Sequence, residues 1–261
     1  MLNKAKIFSV TSVKGGTGKT INTLNLAGTF SKMNKKTLII DLDLNSCDVA
    51  AMLNIDPNRD LYTMFVDVTN NRFDSIYDYV TKYNDNIDVI SSPKDPRYSA
   101  KITGKFINLL IYKVQNKYDV ILIDMNYVLN EINLVSMDLS DEIIYVLNNS
   151  PMDIKNMKTM VSIYNDMNKY NYKILLYDAK DKDKNVFTNF DIKNIVKKNI
   201  SYKIPDSFYI RDIDKYILDG IILTLDKRIN SRYKKTIDIY NKIATDLLRG
   251  WLDEQKFYRW I

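Results

Sequence analysis

The stretch Val10-Thr11-Ser12-Val13-Lys14-Gly15-Gly16-Thr17-Gly18-Lys19-Thr20 joins an apolar run to an amphipathic segment. Apolar residues from Ile7 to Val13 are typical of a buried strand, whereas those from Ile21 to Phe30 recur at helical spacing. The glycines therefore lie at a predicted strand-to-helix turn. Such a turn lets backbone N–H groups converge on an anion, and the helix N-terminus favours the same ligand. The stretch predicts a phosphate-binding loop.

The residue types in this loop indicate which groups would hold a nucleotide. Lys19 supplies positive charge to the β and γ phosphates, and the Thr20 hydroxyl is placed to ligate Mg²⁺. A glycine-rich turn without a ligand is the alternative, but Gly-Lys-Thr between a strand and a helix favours the phosphate site. The candidate nucleotide contacts in the loop are Lys14, Gly15, Gly16, Thr17, Gly18, Lys19 and Thr20.

Two aspartates follow the second predicted strand, which covers residues 37–40. The carboxyl end of a strand lies on the ligand side of an open α/β sheet. Because side chains alternate along a strand, Asp41 and Asp43 point the same way if the strand continues. We expect them to face the nucleotide, near Mg²⁺ and the attacking water, although a simple strand-end turn is the alternative.

A later apolar run, residues 120–123, ends in Asp124. This is the Walker B pattern, in which a buried strand brings an aspartate beside the phosphate loop to orient Mg²⁺ through water. The run alone is a weak signal, but it becomes a strong one after a phosphate loop. The sequence therefore predicts a metal site formed by Thr20, Asp41 and Asp124.

The composition indicates one globular domain. The chain has 261 residues, of which 46% are hydrophobic, with 7 glycines, 5 prolines and no linker-like segment. We divide it into a nucleotide-binding domain, residues 1–249, and a short aromatic tail, residues 250–261. Cys47 is the single cysteine and no signal-peptide pattern precedes the first strand, so we expect a cytoplasmic protein. Because the chain has no histidine, it cannot use histidine as a catalytic base or as a metal ligand.

The form of the loop carries a family resemblance. Lys-Gly-Gly-Thr-Gly-Lys-Thr, residues 14–20, resembles the deviant Walker A motif of the MinD/ParA ATPases. The resemblance implies a P-loop fold, α/β and doubly wound, with a mostly parallel central sheet flanked by helices. It also implies ATP and Mg²⁺ as cofactors, slow ATP hydrolysis, and a homodimer that encloses two nucleotides. Lys14 would then reach the phosphates bound by the partner chain.

Residues 41–45 refine this resemblance. Asp-Leu-Asp-Leu-Asn is similar to the CpaE/TadZ branch of the family, in which the second aspartate positions the attacking water. This likeness implies that role for Asp43, with Asp41 near the metal, and a function in positioning a pilus or secretion assembly through a protein partner. A ParA-type DNA-partition ATPase that binds non-specific DNA, and a nucleotide-dependent scaffold without turnover, are the alternatives. After Asp124 the family pattern fails, because Met125-Asn126-Tyr127 stands where relatives usually have Leu or Thr and then Pro.

The base-binding end is less well defined. Relatives commonly place an adenine-reading asparagine after the strand that corresponds to residues 173–177, where this chain has Tyr177 and Asp178. The turn Ile204-Pro205-Asp206 resembles the family's Ile-Pro-acid turn, whose backbone lies against the base. The resemblance thus implies Asp178 and Pro205 as base contacts.

The positive charge of the chain is concentrated near its C-terminus. The net charge is +6, and residues 227–249 predict a basic helix with one apolar face on the sheet. The tail lacks a single apolar face and a basic flank, so it favours packing or a protein partner over lipid. Any membrane contact is expected to be peripheral, since no apolar run is long enough to span a bilayer. Earlier in the chain, we predict a helix around residues 73–83.

Overall fold

The computed structural model describes residues 4–178 and 186–258, with side chains as far as Arg249. Within these residues, eight strands form one sheet. The strands are β1 (Lys6–Thr11), β2 (Thr37–Leu42), β3 (Thr81–Lys82), β4 (Ile87–Ile90), β5 (Val120–Met125), β6 (Glu142–Asn148), β7 (Tyr172–Tyr177) and β8 (Tyr202–Ile204).

The order of the strands is β3-β4-β2-β5-β1-β6-β7-β8. Every neighbouring pair is parallel except β3 with β4. The mostly parallel, doubly wound sheet predicted from the sequence is therefore confirmed. Strands β2 and β5 are buried along their whole length, which explains their continuous apolar runs. Their register places Asp41 directly beside Asp124.

Helices cover both faces of the sheet. They are α1 (Lys19–Lys32), α2 (Asp48–Met52), α3 (Leu61–Thr69), α4 (Gly104–Val114), α5 (Glu131–Leu139), α6 (Pro151–Asp166), α7 (Asn189–Val196), α8 (Ile213–Leu218), α9 (Lys227–Arg232) and α10 (Lys234–Tyr258). One apolar core joins the sheet to α4 and α6, through Leu110 and Met157. The other joins it to α1 and α10, through Phe30 and Ile243.

The predicted helix at residues 73–83 is wrong. The segment forms a 3-10 helix, Ile76–Tyr79, followed by the edge strand β3. Ser75 and Asp78 form a capping box that starts the 3-10 helix, and pairing with β4 then draws the chain into an extended conformation. Tertiary pairing thus overrides the local helical pattern.

The basic C-terminal segment is also not one helix. It breaks at Tyr233, whose hydroxyl donates to the Tyr209 carbonyl and whose ring packs edge-on against Phe208. The second helix, α10, continues through the predicted boundary at residues 249 and 250 as far as Tyr258. In the part of the chain that the structure describes, no helix is both long and apolar enough to cross a membrane.

Candidate nucleotide site

The predicted phosphate loop connects β1 to α1. Gly16 and Gly18 have φ angles of 71° and 90°, a region that residues with a side chain rarely adopt. Gly18 is the N-cap of α1, and no side chain caps the helix there. The first N–H groups of α1 have no acceptor within the helix, and no side chain caps them. They are therefore available to an anionic ligand.

Two side chains of the loop also lack a hydrogen bond or an ion pair in the part of the chain that the structure describes. The hydroxyl of Thr17 is buried and makes no hydrogen bond among the described residues, which is costly unless a ligand supplies the partner. The Lys19 side chain is largely buried, yet no ion pair with an acid is formed in residues 4–178 or 186–258. A phosphate group fits both features.

A pair of hydroxyls holds the carboxylate of Asp124 at the end of β5. The Thr20 hydroxyl donates to Asp124 Oδ2 over 2.7 Å, and the Thr23 hydroxyl donates to Oδ1 over 2.8 Å. Burial raises the pKa of Asp124 to about 6, opposed by these two bonds and by Lys19. The contact between Thr20 and Asp124 is the juxtaposition that the two sequence motifs predict, whereas the role of Thr23 was missed.

Asp41 lies next to this pair but is held differently. Its carboxylate accepts hydrogen bonds from Asp43 N at 3.0 Å, Val49 N at 3.3 Å and Ser92 Oγ at 3.1 Å. Burial and the neighbouring Asp124 raise its pKa well above the usual range. Because the protein already satisfies Asp41, its predicted contribution to a metal site stays a prediction. Ser92 was not identified from the sequence.

The residues at this edge fit Mg²⁺ only together with a nucleotide. Among the described residues, no three acidic, histidine or cysteine side chains come together to hold a metal. Mg²⁺ commonly uses one or two protein oxygens and completes its shell with phosphates and water. Thr20 and Asp124 offer such a pair, beside a helix N-terminus suited to the phosphates.

Asp43, the predicted water-positioning residue, follows β2 and is half-buried. Burial raises its pKa, and the nearby charge of Lys19 opposes that shift. The structure therefore brings Asp43 and Lys19 within electrostatic reach of each other. Its role towards water stays a prediction.

Lys14 contacts its own chain in this structure. Its ammonium lies 2.7 Å from Asp153 Oδ2 and 3.4 Å from the Ser150 hydroxyl. Asp153 is fully buried in the first turn of α6, which Ser150 caps. Sequence analysis missed this partner, although a Ser-x-x-Asp pattern at a helix start marks Asp153 as a residue near backbone donors.

Two polar side chains at the predicted base-binding end are bonded within the protein. Tyr177, at the end of β7, donates its hydroxyl to Asn22 Oδ1 over 3.1 Å and lies 2.8 Å from the Tyr240 hydroxyl. Asp178 pairs with Lys203 at 2.9 Å. Pro205 directly follows β8, the strand beside β7. The structure thus groups Asp178 and Pro205 at one end of the sheet, and their role in base recognition stays a prediction.

The segment after Asp124, where the family pattern fails, has its own hydrogen-bond network. The Asn126 carbonyl accepts from the Thr11 hydroxyl, and its side-chain oxygen accepts from Val128 N and from the Asn133 amide. This network fixes a loop whose apolar side chains are exposed. They are Tyr127, Val128 and Leu129.

Known proteins share parts of this sequence. A family model described as an AAA domain matches residues 5–170. The tyrosine-protein kinase CpsD of Streptococcus pneumoniae serotype 4 is 30% identical over 123 residues, covering 47% of this chain and 53% of the kinase. The chain therefore spans about half the length of that relative.

Solved structures share the whole fold. A ParA family ATPase from Chlorobium tepidum TLS matches with a TM-score of 0.77 and 20% identity, covering 93% of this chain and 98% of the other. The septum site-determining protein MinD from Pyrococcus horikoshii OT3, solved with Mg-ADP, gives 0.74 and 22%, covering 93% and 96%. These two structures show that the chain shares their fold. Since the family model covers more than half of the chain, the chain belongs to the AAA-domain family.

Proposed function

We propose that this protein binds ATP with Mg²⁺, forms a homodimer around the nucleotide and hydrolyses ATP slowly. One observation carries the proposal: an uncapped helix N-terminus, an orphaned hydroxyl at Thr17 and the Thr20–Asp124 contact meet at one edge of the sheet. Backbone donors would hold the phosphates, Lys19 would neutralise them, and Thr20 and Asp124 would hold the metal. The bound Mg²⁺ would neutralise charge on the phosphates.

Dimerisation is proposed from the position of Lys14. Its side chain is 38% exposed, and its partner Asp153 is on the same chain. In the dimer, Lys14 would leave Asp153 and reach the phosphates held by the second copy. The exposed apolar loop at residues 127–129 lies beside Gly15, so it would border the same interface.

Hydrolysis is assigned to Asp43, whose carboxylate would orient the attacking water. Lys19, in electrostatic reach of Asp43, would balance the charge that develops on the phosphates. Lys14 of the second copy would also help to balance this negative charge. Turnover would therefore depend on the dimer. Turnover is expected to be slow unless a partner protein activates it.

The finer proposal is that the dimer positions a cellular assembly from the cytoplasm, most specifically a pilus or secretion machine. It is supported by the likeness of residues 41–45 to the CpaE/TadZ branch. Deletion in the native cell should remove surface pili, and the Lys19→Ala chain should fail to restore them. Normal piliation in the deletion strain would contradict this assignment while leaving the ATPase assignment intact.

Calorimetric titration with ATP and Mg²⁺ tests nucleotide binding. The wild type should bind, and Lys19→Ala should lose at least about a hundredfold in affinity, because the phosphates lose a buried cationic partner. Lys105→Ala is the matched control, since Lys105 is exposed on α4, and its affinity should be unchanged. Equal affinities for wild type and Lys19→Ala would reject the phosphate-loop assignment.

A further inference from the structure

A pocket lies where α9 ends and α10 begins, on a surface that the candidate nucleotide site does not use. It has a volume of about 460 Å³. Three cationic side chains line it, together with two tyrosines, a serine and a threonine. These residues are Arg232, Lys234, Lys235, Tyr209, Tyr233, Ser207 and Thr236. No residue of the phosphate loop, β2 or β5 lines this pocket.

The three cations of the pocket have no acidic partner in the part of the chain that the structure describes. Arg232, Lys234 and Lys235 are exposed, and within the described ranges none of them forms an ion pair with an acid. The first turn of α10 contains no acidic residue. Arg232 packs its guanidinium over the Tyr233 ring, 5.4 Å from the centroid, which holds it at the pocket. The pocket therefore has a strongly positive potential.

The start of α10 adds main-chain donors to this charge. Thr236 N and Ile237 N donate to the Tyr233 carbonyl, so the N–H groups of Lys234 and Lys235 precede the first hydrogen-bonded turn. The helix is 25 residues long, and its N-terminus carries a positive partial charge.

Thr236 provides an independent sign of a ligand. This residue is only 2% exposed, yet it lines the pocket, and its hydroxyl makes no hydrogen bond to any residue in the described part of the chain. Its oxygen is not one of the fully buried atoms that lack a partner, so the hydroxyl is open to the pocket that the residue lines. An oxyanion in the pocket would accept a bond from this hydroxyl.

We propose that this pocket binds the phosphate group of a small phosphorylated molecule. Arg232, Lys234 and Lys235 would supply charge, and the Thr236 hydroxyl and the free N–H groups would supply directed hydrogen bonds. The exposed ring of Tyr209 would contact the organic part of the ligand. The site is separate from the nucleotide site and does not depend on the function proposed above.

The surrounding acids favour a small ligand over a long polyanion. Asp226 precedes the basic cluster as the cap of α9, and Asp238 follows it on the exposed surface of α10. A nucleic acid backbone crossing this surface would approach both carboxylates, whereas no acidic residue lines the pocket that a single phosphate would enter. Like charges close to a polyanion weaken its binding.

Titration of the Lys19→Ala chain tests the proposal, because its weakened phosphate loop contributes less and is the same in every variant compared. Inorganic phosphate and phenyl phosphate are the probes, and calorimetry is the readout. Both should bind saturably, with phenyl phosphate the tighter of the two. In this background, the Arg232→Gln, Lys235→Gln double variant should lose at least about tenfold in affinity, and Thr236→Val several-fold, because charge-assisted bonds are removed.

A matched double variant controls for net charge. Lys105→Gln, Lys155→Gln removes two exposed lysines elsewhere and should keep the full affinity. Circular dichroism should give the same melting temperature for this control and for the Arg232→Gln, Lys235→Gln variant. An equal loss of affinity in the control would overturn the site, as would the absence of saturation by either probe at about 10 mM. Binding to a 20-base-pair duplex or to anionic vesicles, without binding to either small probe, would overturn the choice of ligand.

Discussion

The two ends of the candidate nucleotide site differ in how far the protein satisfies its own polar groups. At the phosphate end, Thr17 has an orphaned hydroxyl, Lys19 has no acidic partner among the described residues, and Asp124 sits beside a second buried carboxyl. At the base end, Tyr177 and Asp178 are both bonded within the chain. The first end needs a ligand to complete it, and the second does not.

This difference assigns most of the binding free energy to the phosphates and the metal. Unmet donors and unpaired charges at the phosphate end destabilise the free protein and are compensated when a ligand binds. The base end gains little from the ligand, because Tyr177, Asn22 and Tyr240 already share one buried network. Mutations should therefore act strongly at one end and weakly at the other.

The largest expected effect is on turnover. Asp43→Ala should lower the ATP hydrolysis rate about a hundredfold, because the attacking water loses its orienting carboxylate. Nucleotide affinity should change little, since the phosphate contacts remain. Steady-state phosphate release and calorimetry give the two values. Wild-type turnover in Asp43→Ala would remove this residue from the mechanism.

The next effect concerns stability without nucleotide. Burial raises the pKa of Asp124 to about 6, so the folded state disfavours its charged form. That penalty grows between about pH 4 and pH 6 and is complete above pH 6. Asp124→Asn should therefore raise the free energy of unfolding by about 1–3 kcal/mol at pH 7.5.

Urea unfolding of the wild type and Asp124→Asn at two pH values checks whether the substitution raises the free energy of unfolding. The gain from Asp124→Asn should shrink as the pH falls to about 4 and vanish below it, where the carboxyl becomes protonated in both states. Asp88→Asn is a control at another strand, since Asp88 is a buried acceptor for Tyr118 and should not show the same gain. A loss of stability in Asp124→Asn at pH 7.5 would contradict the claim that the free phosphate end is electrostatically strained.

A smaller effect on affinity is expected when the base of the nucleotide is changed. Replacing ATP by GTP should change affinity by about tenfold or less, because a site without unmet hydrogen-bonding groups discriminates weakly. Competition between the two nucleotides for the wild-type chain measures this ratio. A preference above about a thousandfold would show that the base end reads the ring directly, and would erase the contrast between the two ends.

The smallest effect concerns the partner of Lys14. Asp153→Asn keeps the shape of the side chain but removes the charge that holds Lys14 on its own chain. Dimerisation with ATP should then occur at a concentration lower by about fivefold, since such a partly exposed ion pair is worth about 1 kcal/mol. Sedimentation velocity over a concentration series measures the midpoint. A weaker dimer in this variant would mean that Asp153 helps the interface instead of competing with it.

The phosphate end could be predicted from sequence because its motifs are local. The spacing of Gly16, Gly18, Lys19 and Thr20 specifies a strand, a turn and a helix, and the apolar run before Asp124 specifies a buried strand beside it. The contact between Thr20 and Asp124 then follows from the parallel order of the sheet.

The remaining contacts could not be read from sequence because they depend on tertiary placement. Asp153 meets Lys14 across 139 positions, and Tyr240 meets Asn22 across 218, so no local pattern contains either pair. The wrong helix at residues 73–83 has the same origin, since pairing with β4 decides that segment. The break at Tyr233 depends on its bond to Tyr209.

Light scattering with and without a non-hydrolysable ATP analogue and Mg²⁺ tests the central claim most directly. The claim is that the phosphate end is completed by nucleotide and then by Lys14 of a second copy. The wild type, a chain of 30.5 kDa, should double its mass with the analogue. Lys14→Ala should bind the analogue but remain monomeric, while the control Lys105→Ala should dimerise like the wild type. A constant wild-type mass, or full dimerisation of Lys14→Ala, would contradict the account.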